Sequence, residues 1–193
     1  MRFVVITLPP PEVCQAIEAL RRPLNALVGA HEALRYPPHV TLRTGLVCPD
    51  EKADEVARAF LDHGATLPQT RATTAGLFFT TYGEPGALRG MVGWHLPLTE
   101  GLQDLHRGLL DFTVWAKGPQ GRFQPHLSLA YHDLDPAGVE TLRAKVAGSE
   151  VPDFTWTIDH VALYHERPEG WVEWGSRGLR PAEGSPTRAT AGS

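Results

Sequence analysis

The chain has 193 residues, 42% of them hydrophobic and 21% charged, with a formal net charge of −4. Such a chain can bury about two-thirds of its unfolded surface without disulfides or structural metal. Its longest apolar runs fall far short of the ~18 residues of a membrane span, and a mildly acidic chain lacks the basic surface needed to coat nucleic acid non-specifically. Only Cys14 and Cys48 are present, without the CxxC spacing of redox or zinc sites. The expectation is therefore two reduced thiols in a cytoplasmic protein with no signal peptide and no membrane partner.

Residues 2–8 are apolar and β-branched and run into Pro9, Pro10 and Pro11, which predicts a buried strand. Val13, Ile17, Leu20, Leu24 and Leu27 then share one face of a helix, which Pro23 is expected to kink or to end near Arg21 or Arg22. Residues 39–47 alternate as a strand. Asp50 reads as the N-cap of a second helix with Ala53, Val56, Ala57, Phe60 and Leu61 on its apolar stripe and Gly64 at its end. Residues 75–82 and 88–98 form a predicted hairpin about the Gly-Glu-Pro-Gly turn at 83–86. Thr99 caps a third predicted helix with Leu102, Leu105, Leu109 and Phe112 inward, and a Gly-Pro-Gln-Gly loop follows at 118–121. A strand is predicted over 123–131, and a fourth helix opens with Asp135 as cap and Pro136 at its first position, carries Val139, Leu142 and Val146, and closes at Gly148. The last strands are predicted over 154–164 and 171–175. Residues 181–193, rich in Ala, Gly, Ser and Thr, cannot bury enough apolar surface to offset their ordering entropy and are read as a disordered tail.

One internal repeat stands out. Pro38-His39-Val40-Thr41-Leu42 recurs as Pro125-His126-Leu127-Ser128-Leu129, and none of the other seven of the nine histidines has Ser or Thr two residues on. In a strand, residues i and i+2 share a face, so each imidazole has a hydroxyl beside it while Val40, Leu42, Leu127 and Leu129 turn to the core. Two such lobes facing each other present two imidazoles and two hydroxyls to one cleft. That set suits phosphodiester chemistry: one imidazole takes a proton from water, the other protonates a leaving alkoxide, and the hydroxyls bind non-bridging oxygens. No metal is needed, and the residues leave open which histidine plays which part.

At these residues the sequence resembles the 2H phosphoesterases, in particular the 2'-5' RNA ligase-like proteins that act as RNA 2',3'-cyclic phosphodiesterases. The likeness runs from the strand before Pro9, through both motifs including Arg122-Phe123-Gln124, to Val161-Ala162-Leu163-Tyr164. It implies an α+β fold in which residues 1–180 form one bilobal domain: two pseudo-symmetric lobes of antiparallel sheet with outer helices around a central cleft. It further implies a monomer without cofactors that acts on RNA 3' ends or cyclic nucleotides, His39 protonating the departing 3' oxygen, His126 activating water, and Thr41 and Ser128 holding the phosphate. Relatives commonly carry an aromatic residue at Thr44, a basic residue at Tyr131 and Ser near His165. The alternatives are 2'-5' joining of RNA ends, with a 5'-hydroxyl in place of water, and a module that binds nucleotides or RNA ends without turnover.

Arg43, at i+4 from His39, is expected on the same strand face as a further charge for phosphate. Arg122 is a second candidate phosphate contact and Phe123 a base-stacking one, while Tyr36 and Tyr131 are candidates for the cleft rim. His160, His165 and the His132-Asp133 pair match no common metal-ligand spacing, and Trp94, Trp156, Trp171 and Trp174 read as packing residues. No phosphate-cradling Gly-rich loop or nucleophile elbow is present.

Overall fold

The structure, a computed structural model, describes residues 1–112, 123–168 and 170–181. Nine strands and four helices are described: β1 (Arg2–Thr7), α1 (Pro11–Val28), β2 (Val40–Val47), α2 (Ala53–Gly64), β3 (Thr70–Thr73), β4 (Leu77–Tyr82), β5 (Arg89–His95), α3 (Glu100–Asp111), β6 (His126–Tyr131), α4 (Pro136–Val146), β7 (Thr155–Ile158), β8 (His160–Arg167) and β9 (Gly170–Gly178). Seven strands form one antiparallel sheet in the order β4-β5-β6-β2-β1-β8-β9, and β3 pairs with β7 separately. The sheet divides at its middle, because β2 and β6, the strands of the repeated motif, share the single register pair Val40 and Leu127. Two half-sheets, β4-β5-β6 and β2-β1-β8-β9, thus meet along a narrow seam, giving the α+β bilobal architecture.

The helices cover these halves crosswise. Although α1 follows β1 in the chain, it packs on β6 beside α4, while α3, which follows β5, packs on β2. Both crossings are anchored at the same point of the repeat. Ile6 pairs with Thr41 but Val5 with Arg43, so Leu42 is an extra residue, a β-bulge; Gly93 pairs with Ser128 but Val92 with Ala130, so Leu129 is its counterpart. A bulge takes its extra residue out of the ladder. The Leu42 carbonyl accepts a bond from His106 Nδ1 of α3 at 2.8 Å, and the Leu129 carbonyl accepts one from Asn25 Nδ2 of α1, also at 2.8 Å. Asn25 is fully buried and also donates to Arg21 O at 2.8 Å.

Local signals read from sequence account for several boundaries. Thr99 Oγ1 accepts from Leu102 N at 3.3 Å to cap α3, and Asp135 Oδ1 accepts from Gly138 N at 2.6 Å to cap α4. Three expectations are corrected and one strand is added. First, α1 does not end near Arg21 or Arg22 but runs through Pro23 to Val28. The ring removes one backbone donor, yet Leu20 and Leu24 pack on the core to either side of it and Asn25 is tied to β6, so tertiary contacts carry the helix onward. Second, Asp50 is not the cap of α2: it begins a short 3-10 turn, Asp50–Lys52, and its carboxylate takes the N-terminal ammonium of Met1 at 2.5 Å. Third, the single strand expected over 154–164 breaks at Asp159 into β7 and β8, which join different sheets. The added strand is β3, the partner of β7, whose four residues in the pattern Thr-Arg-Ala-Thr carry too little periodicity to predict a strand.

Cys14 and Cys48 are free thiols, as the composition suggested. Among the described residues no helix is long and apolar enough to cross a membrane. The 118–121 loop and all of the expected tail beyond Pro181 lie outside the described residues.

Truncating Asn25 to Ala leaves the buried Leu129 carbonyl without its donor, and we expect a loss of about 2 kcal/mol in unfolding free energy. Urea denaturation checks this; a change within about 0.5 kcal/mol would mean that the bulge carbonyl does not need the helix.

Candidate active site

The seam between the halves opens into a cleft of about 320 Å³ whose lining includes His39, Thr41, Thr44, His126, Ser128, Tyr36 and Tyr131. Its floor follows from the register. Counting outward from the Val40–Leu127 pair, His39 falls across from Ser128 and Thr41 across from His126, so each imidazole neighbours the hydroxyl of the other motif. The intervening Val40, Leu42, Leu127 and Leu129 are all buried on the far side. The two rings are held alike: His39 Nδ1 lies 2.9 Å from Pro37 O and His126 Nδ1 lies 2.9 Å from Gln124 O. A carbonyl only accepts, so Nδ1 carries the proton and Nε2 is left for the cleft in both. Each ring also has an aromatic edge against it, Tyr36 on His39 at 6.5 Å and Phe78 on His126 at 5.8 Å between centroids.

The bulges decide what else reaches the cleft. Because Leu42 is an extra residue, the alternation slips and Arg43 turns to the core, corrected from its expected place beside His39. It is 6% exposed, and its Nη1 donates to Leu109 O and, at 3.1 Å, to Phe112 O, closing the C-terminal end of α3. Thr44 takes the cleft position instead. The same slip in β6 buries Ala130 and sends Tyr131 to the cleft. Phe123 likewise faces away from the cleft, stacked on His106 of α3 at 3.9 Å between centroids and 2° between planes, and packed on the core. Arg122 lies outside the described residues.

Val4, Ile6, Met91, His132, Tyr164 and Trp171 also line the cleft, and sequence reasoning did not place them there. All but His132, which directly follows β6, come from other strands of the sheet. Gly93 is required at the floor: a Cβ there would sit 2.5 Å from Leu127 O, so any side chain would push β5 off the strand bearing His126 and Ser128. Among the described residues no three His, Cys, Asp or Glu are grouped so as to hold a metal.

The surroundings of His39 disfavour its charged form. Burial holds His39 below its usual value; the bond to Pro37 O opposes this, and the nearby charges of Arg21 and His126 add to it. Arg21 is a buried cation of α1, clasped by Glu18 and by the Tyr36 carbonyl, each at 2.5 Å, and nothing in the sequence pattern distinguished it from a surface arginine. Burial, then Tyr36 and Glu32, push the Tyr131 phenol up to about 12, and burial with Glu173 does the same to Tyr164. Both therefore remain neutral hydroxyl donors near neutral pH.

A family model described as the 2'-5' RNA ligase superfamily matches residues 9–169. The chain belongs to this superfamily of 2H phosphoesterases. Membership places it among enzymes. The fold agrees with solved structures of low identity. A crystal structure of a Thermus thermophilus protein has a TM-score of 0.60 at 19% identity, covering 94% of this chain and 99% of that one. Escherichia coli LigT in its apo form gives 0.55 at 17% identity over 92% and 96% of the two chains. The same protein complexed with 3'-AMP gives 0.54 at 16% identity over 92% and 97%. No curated protein matches the chain.

Histidine NMR titration of the free protein is expected to put the midpoint of His39 below the ordinary 6.5. A midpoint at or above that value would show that the Pro37 bond outweighs burial and the Arg21 field.

Proposed function

We propose that the protein is a metal-independent phosphodiesterase that opens 2',3'-cyclic phosphate ends of RNA to 2'-phosphates. The observation that carries this reading is the pairing of two imidazoles, each with Nδ1 tied to the carbonyl two residues back and Nε2 toward one cleft, each across from the other motif's hydroxyl. The cyclic phosphate lies between them. His126 Nε2 takes a proton from water as its oxygen attacks phosphorus; the bond from phosphorus to the 3' oxygen breaks; and His39 gives its proton to that oxygen. Thr41 and Ser128 donate to the non-bridging oxygens, where charge grows in the transition state. His39 must be protonated for this role. The field of a bound phosphate anion opposes those of Arg21 and His126, so substrate favours the charged ring that the empty cleft disfavours. The likeness to LigT, crystallised with 3'-AMP and with phosphate, supports a nucleotide ligand.

The family description favours one further reading, the joining of RNA ends through a 2'-5' linkage, in which a 5'-hydroxyl replaces water in the same proton transfers. Incubation with paired RNA fragments separates the two: ligated product in excess of 2'-phosphate supports joining.

With EDTA present, the protein is expected to convert a 2',3'-cyclic nucleotide to the 2'-phosphate, and His126→Ala to lower kcat by about 10²- to 10⁴-fold while still binding 3'-AMP. A 3'-phosphate product, or activity abolished by chelation, overturns the mechanism. The pH dependence of kcat/KM is expected to be a bell with one limb at the sub-6.5 midpoint of His39. A flat profile from about pH 5 to 9 would remove the acid–base pair.

A further inference from the structure

A third imidazole lines the cleft beyond Tyr131. His132 has φ 67, the one positive φ of a non-glycine residue among those described. Few side chains adopt that conformation, and the surroundings must hold it in place. Successive residues of a strand point to opposite faces. The left-handed turn at His132 instead keeps its ring and that of Tyr131 on one wall of the cleft, 4.6 Å apart between centroids. Two elements hold it there: Tyr82 Oη of β4 lies 3.2 Å from His132 Nδ1, and Arg89 Nη1 of β5 donates to the His132 carbonyl at 3.1 Å. Nε2 is left to the cleft.

The charge around this corner favours an anion. No Lys, Arg, Asp or Glu is among the described residues lining the cleft, so of those residues only His132, besides His39 and His126, can bring a positive charge to it. Of the groups about it, Tyr82 Oη accepts from Nδ1 of the protonated ring, the Tyr131 phenol is a neutral donor, and the guanidinium of Arg89 is fixed behind the backbone. Asp133 is engaged elsewhere, its Oδ2 accepting the backbone N–H of His31 at 2.5 Å and of Glu32 at 3.0 Å, and Glu32 pairs with Arg35 at 3.0 Å. From Ser128 to His132, allowing for the extra residue at Leu129, the strand advances about 10 Å. That is on the order of one nucleoside. Tyr36 and Tyr131 flank the intervening space, as aromatic side chains flank single-stranded nucleotides.

We propose that His132, with Arg89 behind it, binds the phosphate on the 5' side of the terminal nucleoside, so that the cleft selects the end of an RNA chain over a cyclic mononucleotide. This rests on the proposed placement of the terminal cyclic phosphate between His39 and His126.

The test compares adenosine 2',3'-cyclic phosphate with and without a 5'-phosphate as substrates, and adenosine 3',5'-bisphosphate with 3'-AMP as binding probes. The 5'-phosphate is expected to lower KM and Kd about tenfold in the wild type, a gain that shrinks as salt is raised. In His132→Asn, whose residue tolerates positive φ and so keeps the backbone, the ratio with and without the 5'-phosphate falls to about one. Hydrolysis without any gain from the 5'-phosphate, or a gain that survives His132→Asn, overturns the proposal and leaves the hydrolase reading standing. A His132-dependent gain in binding with neither cyclic substrate turned over supports the subsite and overturns the hydrolase reading.

Discussion

Two backbone carbonyls, those of Leu42 and Leu129, hold the architecture of the site. Each belongs to the extra residue of a bulge, at the same place in the two copies of the motif, and so falls outside its strand ladder. A buried carbonyl without a donor costs about 1–3 kcal/mol, and each is satisfied by a polar side chain on a helix from the opposite half of the chain, His106 for Leu42 and Asn25 for Leu129. The half-sheets share only one register pair, so these crossed bonds and the packing around them join the halves where the strands barely do. Local irregularity in the strands is thereby converted into a fixed relation between lobes.

The bulges also select the lining. In an unbroken strand the residues following His39 and Thr41 on the cleft face would be Arg43 and then Gly45; one extra residue puts Arg43 in the core and Thr44 in the cleft. The site loses a permanent cation by this shift. Among the described residues the polar lining that remains is hydroxyls and three imidazoles, beside apolar side chains such as Val4, Ile6 and Met91, which suits the single phosphodiester charge of the proposed substrate. Arg21 acts on this wall from behind. Held by Glu18 and the Tyr36 carbonyl, it reaches His39 by its field and not by contact with the cleft. Its place follows from the packing of α1, whose Arg21 is bonded to the Tyr36 carbonyl just before the first motif.

Features governed by neighbours within a few residues were legible in the sequence. The caps Thr99 and Asp135, the apolar stripes of the helices, and the hairpin about residues 83–86 each depend on local backbone bonds or local spacing, and the His-x-Thr and His-x-Ser motifs announce a shared face because strand alternation is local. Features decided by distant partners were not. Pro23 reads as a kink or an end, yet the helix runs on because β6 and α4 grip it; Asp50 reads as a cap, yet the N-terminus claims its carboxylate. Arg43 reads as a cleft residue because alternation from His39 takes no account of a bulge that no adjacent residue reveals. Met91, Tyr164 and Trp171 reach the cleft only through strand order, which sequence spacing does not encode.

The amino-acid sequence by itself therefore determined that two related strands each carry an imidazole and a hydroxyl on one face with aliphatic residues behind, since that follows from a period of two over five residues. Only the tertiary structure decided that the two strands meet at Val40 and Leu127, which sets each imidazole across from the other's hydroxyl, and that a left-handed residue turns His132 back to the same cleft. The reason is physical. Side-chain alternation is a property of the local chain, whereas register between strands, the placement of bulges and the field of a buried arginine arise from contacts between residues far apart in the sequence.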